Sequence, residues 1–165
     1  FRYRRKIMKA AISEQEALSR LAAWCSSAEH CRAEVGEKAL RWGLSAEAAA
    51  RIVARLEEER FVDDERYCRA FIRDKSLFAG WGKVKIGQAL RLKRIPESVY
   101  APLLDEVVDA DAYLSSLRAL LASKRKTLRA RNDYEARAKL VRFALGRGFS
   151  MDDIGRCIDL SDENE

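Results

Sequence analysis

Proline occurs twice and histidine once in 165 residues, and no two cysteines form a Cys-x-x-Cys pair. With one histidine and four scattered cysteines (Cys25, Cys31, Cys68 and Cys157), neither a zinc site nor a disulfide scaffold is expected. Reduced thiols are the natural reading, because cysteine buries well as a small apolar residue. No apolar run nears the roughly 20 residues that a membrane helix needs, and the basic start is followed by no apolar signal-peptide core. A cytoplasmic protein without membrane contact is therefore expected. The chain begins at Phe1 rather than Met, which leaves room for a preceding segment.

Other absences bear on chemistry. Gly80 and Gly82 follow no strand and precede no GK[ST], so neither a Walker nor a Rossmann phosphate loop is present. His30 has no Ser or Cys partner within a recognisable motif. The acidic run Glu57, Glu58, Glu59, Asp63, Asp64 and Glu65 is consecutive at a helix junction, whereas a metal-dependent nuclease needs carboxylates converging on one cation. Helix capping and pairing with Arg55, Arg60 and Arg66 suit these acids better. No cofactor, metal or catalytic residue is expected, and the chain is not read as an enzyme.

What is present is helical. The sequence is 48% hydrophobic and 35% charged, rich in Ala and Leu, and lacks strand signals. Ser13 with Glu16 makes a capping-box pattern ahead of Ala17, Leu18, Leu21, Ala22 and Cys25, which predicts a helix over 13–26. A second is predicted over 28–42, with Gly43 as its stop, and a third after Ser45. Asp63 and Asp64 open a fourth with Tyr67, Phe71 and Ile72 on its apolar face. Residues 76–82 read as a turn, and further helices are predicted over 83–92, 96–107, 109–124, 133–145 and 150–160, with 124–132 as a strongly basic loop.

These helices fall into copies of one unit. Aligning Leu44, Ile95 and Phe149 brings Arg32, Lys83 and Arg137 together, then Val35, Ile86 and Leu140, then Ala39, Leu90 and Ala144. Downstream, Ala49, Tyr100 and Ile154 coincide, as do Val53, Leu104 and Ile158. Ser45, Pro96 and Ser150 all fall where a helix should begin. Offsets of 51 and 54 residues are a helical-repeat signature. The expected fold is all-α, three tandem three-helix repeats forming an elongated, curved helical array. Its parts are a basic arm or linker over 1–12, repeats over 13–60, 61–108 and 109–160, and an acidic tail over 161–165.

The formal net charge of +6 suits an anionic or acidic partner. Lys83, Lys85, Arg91, Lys93 and Arg94 lie in a stretch, 75–95, that contains no acid, and Lys124, Arg125, Lys126, Arg129 and Arg131 form a second cluster. Together with Arg32 and Arg137 these are the candidate partner-binding and nucleic-acid-binding residues. Phosphate contacts from them would be salt-dependent and largely sequence-independent. Tyr67, Phe71, Phe143 and Phe149 sit on apolar faces and read as core, whereas Trp81 suits either stacking on a base or partner or packing between units.

Two stretches carry a resemblance. Leu56-x4-Phe61-Val62-Asp63-Asp64-x2-Tyr67 and Gly80-x-Gly82-x3-Ile86-x3-Leu90-x2-Lys93-x-Ile95, set within three tandem three-helix units, resemble the RecX family of bacterial recombination regulators. The likeness covers about 14–160. Arg60 stands where such proteins often have Gly, and Arg94 stands where the other two units have Gly43 and Gly148. The resemblance implies a non-catalytic monomer that lies in the groove of the RecA-DNA recombinase filament, binds single- and double-stranded DNA through its basic surface, and inhibits ATPase and strand exchange. Its setting would be homologous recombination, the SOS response and regulation of DNA repair. The alternatives are a general DNA- or RNA-binding helical protein and, third, a nucleic-acid enzyme.

Overall fold

A recurrent device starts the helices. The side-chain oxygens of Ser13, Ser45, Asp63, Asp109, Asn132 and Ser150 each accept a hydrogen bond from the backbone N–H three residues on, at 2.8–3.1 Å. Each satisfies an N–H that the helix itself leaves unpaired. The computed structural model describes residues 12–158. Residues 1–11 of the expected basic arm over 1–12, the acidic tail and the last two residues of the expected third repeat lie outside the described residues.

Among the described residues the chain is all-helical: α1 (Glu14–Ser27), α2 (Arg32–Arg41), α3 (Ala46–Glu58), α4 (Asp64–Arg73), a π-helical turn (Asp74–Phe78), α5 (Lys83–Leu92), α6 (Glu97–Val107), α7 (Ala110–Thr127), α8 (Asp133–Gly146) and α9 (Met151–Cys157). It divides into two compact units, up to Tyr67 and from Cys68 onward, and the division falls inside α4.

Three corrections to the sequence-based expectations follow. First, α2 starts four residues late, at Arg32. The Cys31 N–H bonds the Glu34 carboxylate at 3.2 Å and the Arg32 N–H bonds that of Asp64 at 2.9 Å, which fixes the start there. Second, the expected turn over 76–82 is helical at its beginning, because α4 runs on into the π turn. Third, α7 extends to Thr127, so Lys124, Arg125 and Lys126 occupy its last turn instead of a loop. Cations there complement the partial negative charge of a helix C-terminus.

In the first unit, α3 packs on both α1 and α2. Leu21, Val35, Ile52, Leu56 and Val62 are almost wholly buried, each stabilising by about 1.5–3 kcal/mol. In the second unit, α5 packs on α6, while α7, α8 and α9 contact one another. Ile86, Leu90 and Ile95 are buried in the first of these groups, and Leu117, Leu140, Phe149 and Ile154 in the second. The residues matched across the repeats are thus largely the ones that leave water. Phe71 and Phe143 depart from their expected core role: each is only half-buried and lies under a cation, Lys75 at 5.5 Å and Lys124 at 5.0 Å.

The helix ends repeat as well. Gly43, Arg94 and Gly148 take positive φ, at 88°, 57° and 93°. The next residue in each case, Leu44, Ile95 or Phe149, donates its N–H five residues back, to Ala39, Leu90 or Ala144. Arg60 (φ 61°) with the Phe61-to-Leu56 bond repeats this after α3. All four are Schellman-type closures. Both arginines occupy a left-handed conformation that glycine adopts without steric cost.

Candidate partner and nucleic-acid interface

The start of α5 explains the Gly-Trp-Gly stretch. The Gly82 N–H donates to the Arg147 carbonyl at 2.8 Å, the Val84 N–H to the Gly148 carbonyl at 2.9 Å, and the Lys83 N–H to the Tyr113 hydroxyl at 2.9 Å. Burial pushes the Tyr113 phenol up to about 12, so it stays protonated, although the Lys83 bond pulls the other way. A Cβ on Gly82 would lie 2.2 Å from the Gly148 carbonyl, and one on Gly148 would lie 2.2 Å from the Lys85 Cβ. The two glycines let a turn of the third repeat lie against the second repeat's α5. This helix N-terminus has protein acceptors on three successive N–H groups and does not serve as a phosphate cradle.

The basic residues around α5 divide by environment. Lys83 reaches Asp105 at 3.3 Å and lies 5.1 Å from the Tyr113 ring centroid. Lys85 lies 4.3 Å from the Trp81 centroid, and Lys75 sits 4.9 Å from the same ring. Such contacts hold cations in place without neutralising them. Trp81 also meets Phe71 edge-on at 6.4 Å, so it packs within the second unit. Arg91 and Arg94 are exposed and Lys93, the C-cap of α5, is half-buried. In the first unit, Arg32 pairs with Glu57 at 3.0 Å.

The second cluster forms around the end of α7. Lys124 covers Phe143, Arg125 approaches Asp133 at 3.8 Å, and Arg131, almost fully exposed, approaches Glu135 at 3.7 Å. Lys126 and Arg129 are exposed, and the Arg129 carbonyl accepts from Lys139 at 2.7 Å. Arg125 and Arg137 line one open cavity of about 570 Å³, joined there by Arg118 and by Asp133. Leu121, Leu140 and Ile158 supply its apolar lining. Three guanidiniums and one carboxylate around an apolar floor suit an anionic ligand with a flat or apolar body. Arg118 was missed from the sequence, yet it stands seven residues before Arg125 on the same face of α7. That spacing was the signal.

The acidic run finds separate partners. Asp63 caps α4, Asp64 receives the Arg32 N–H, Glu57 pairs with Arg32, and Glu59 meets Arg55 at 2.6 Å. Arg66 bonds Glu29 at 2.6 Å and also the Arg60 carbonyl, so Arg60 engages it through its backbone. Burial raises the thiols of Cys25 and Cys157 and pushes Cys31 up to about 12, which disfavours the nucleophilic thiolate. Among the described residues no helix is long and apolar enough to cross a membrane.

Fold and surface define an all-helical repeat protein whose cations gather on its later modules. Residues 63–101 match the RecX second three-helix domain and residues 111–158 the RecX third three-helix domain. Regulatory protein RecX of Prosthecochloris aestuarii is 30% identical over 146 residues, spanning 88% of this chain and 93% of its own. That of Vibrio campbellii is 29% identical over 160 residues, spanning 96% and 98%. The fold is shared with a crystal structure of regulatory protein RecX (TM-score 0.79, 19% identity, 87% of this chain and 70% of that one). It is shared too with RecX from Lactobacillus salivarius (TM-score 0.78, 17% identity, 87% and 93%). The chain belongs to the RecX family of regulatory proteins.

Proposed function

We propose that the protein binds the RecA-DNA recombinase filament in its groove and inhibits the recombinase's ATPase and strand-exchange activities, thereby regulating DNA repair and recombination. Membership of the RecX family carries this reading. The surface chemistry fits it. Asp63, Asp64, Glu57 and Glu59 are engaged at helix starts and in ion pairs, whereas Arg91, Lys126 and Arg129 present charge to solvent. Exposed cations on repeated modules suit a partner that itself repeats and carries phosphates. In this reading the protein works as a cytoplasmic monomer without cofactor, and by occupying surface instead of by catalysis.

The test is a titration of recombinase ATPase on single-stranded DNA together with strand exchange. Inhibition at near-stoichiometric ratio is expected. Retained binding to free DNA without any effect on the recombinase would favour the second reading, a general nucleic-acid-binding protein. The arginine-lined cavity favours that second reading, because a phosphate could enter it whether or not a filament is present.

A further inference from the structure

Directly after α4 the chain closes a π turn through the Ala79 N–H and the Asp74 carbonyl, 3.2 Å apart. The turn leaves Leu77 69% and Phe78 84% exposed. Leaving two adjacent large apolar side chains in water forgoes the stabilisation that their burial would bring, and π turns recur at functional positions in helices. Leu77 also forms part of the wall of a cavity of about 320 Å³, with Trp81, Val108, Tyr113, Leu120 and Phe149. This wall is largely apolar and aromatic, as in sites that seat a partner's side chain.

The charges beside it have one predominant sign. Arg73 lines the cavity, and Lys75 and Lys85 both lie over Trp81. Asp109 also lines it, but its carboxylate is engaged as the cap of α7. Asp74 approaches Lys75 at 3.7 Å, and from Lys75 to Ile95 the sequence has no acid. A second copy of this chain would bring the same cations against themselves.

We infer that the Leu77–Phe78 turn and its adjoining cavity form a protein-docking site for an apolar anchor flanked by carboxylates. The inference rests on the function proposed above and deepens it, assigning this face to the protein component of the filament. Duplex or single-stranded phosphate gives no return for covering Leu77, although a lone Phe78 can stack on a base. The two contacts are therefore separable by experiment.

The test compares the wild-type chain with Leu77→Ser/Phe78→Ser on two probes at matched salt: a RecA-type recombinase assembled on single-stranded DNA, and the same DNA bare. Circular dichroism and thermal unfolding report the fold. Filament affinity should fall by at least about ten-fold, as when a hot-spot anchor is removed, with bare-DNA affinity and helicity unchanged. Phe78→Ser alone repeats the test should the double change disturb the cavity wall. Equal filament binding by wild type and variants overturns the docking site while the recombinase reading stands. So does a parallel loss on bare DNA, which makes the turn a nucleic-acid contact, or a wild-type dimer that the variant dissolves. A wild-type chain that ignores the filament overturns the recombinase reading, and this site with it.

Discussion

The Gly82 N–H donates to the carbonyl of Arg147, 65 positions further along the chain, at 2.8 Å. The contact requires two residues without Cβ atoms to face each other, Gly82 and Gly148. Gly82→Ala is expected to cost about 1–3 kcal/mol, the usual range for forced overpacking, because its methyl meets backbone that cannot rotate away. Gly146→Ala is the contrast: nothing lies within 4 Å of its added Cβ, and a gain of about 0.4–1 kcal/mol is expected. Urea denaturation of both variants checks the pair, and a Gly82→Ala protein as stable as wild type would dispose of the steric account.

Arg94→Gly and Arg60→Gly should each stabilise the protein by about 1 kcal/mol by relieving a left-handed arginine, less whatever the lost side chain contributes. Thermal unfolding measures this. Destabilisation by both changes would mean that the arginine side chains matter more than the backbone strain.

Alkaline pH should weaken the fold through Cys31. Its thiol ordinarily titrates at 9.0 and is pushed up to about 12 in the folded chain, chiefly by burial. The folded state therefore keeps a proton that the unfolded chain releases. The contribution is intact below pH 9 and declines as pH rises toward 12, at about 1.4 kcal/mol per pH unit. Unfolding free energies across that window, compared with Cys31→Ala, give the slope; an identical slope without the thiol would assign it elsewhere.

The end of α7 offers a cleaner test of nucleic-acid contact than charge reversal would. Glutamates there would oppose the helix dipole, so Lys124→Gln/Arg125→Gln/Lys126→Gln is the better variant. Affinity for DNA should drop, and the slope of log affinity against log salt should become shallower by about 0.7–0.9 for each phosphate contact removed. Unchanged slope with intact helicity would take this cluster out of the interface.

Local features of the fold were legible because local chemistry decides them. Ser13, Ser45 and Ser150 cap helices where their spacing places them, and Leu44, Ile95 and Phe149 close helices at matching points. Arg94 takes the left-handed turn despite its side chain, since the surrounding repeat dictates that geometry. What escaped depends on distant partners. The late start of α2 is fixed by Asp64, and the reason for Gly82 lies in Gly148. Of the candidate interface, the two basic clusters were visible as runs of charge. That Lys83 is occupied by Asp105 and Tyr113, and that Arg118 joins Arg125 and Arg137, depends on tertiary packing.

The backbone clasp at the start of α5 has a spectroscopic consequence. The amide protons of Gly82 and Val84 bond to Arg147 and Gly148 and not within their own helix. Their exchange with deuterated solvent requires that clasp to open, whereas interior amides of α5 wait for the helix itself to unwind. Two amide signals thus serve as native reporters of opening between the second and third modules, readable with and without a bound filament and without any attached label.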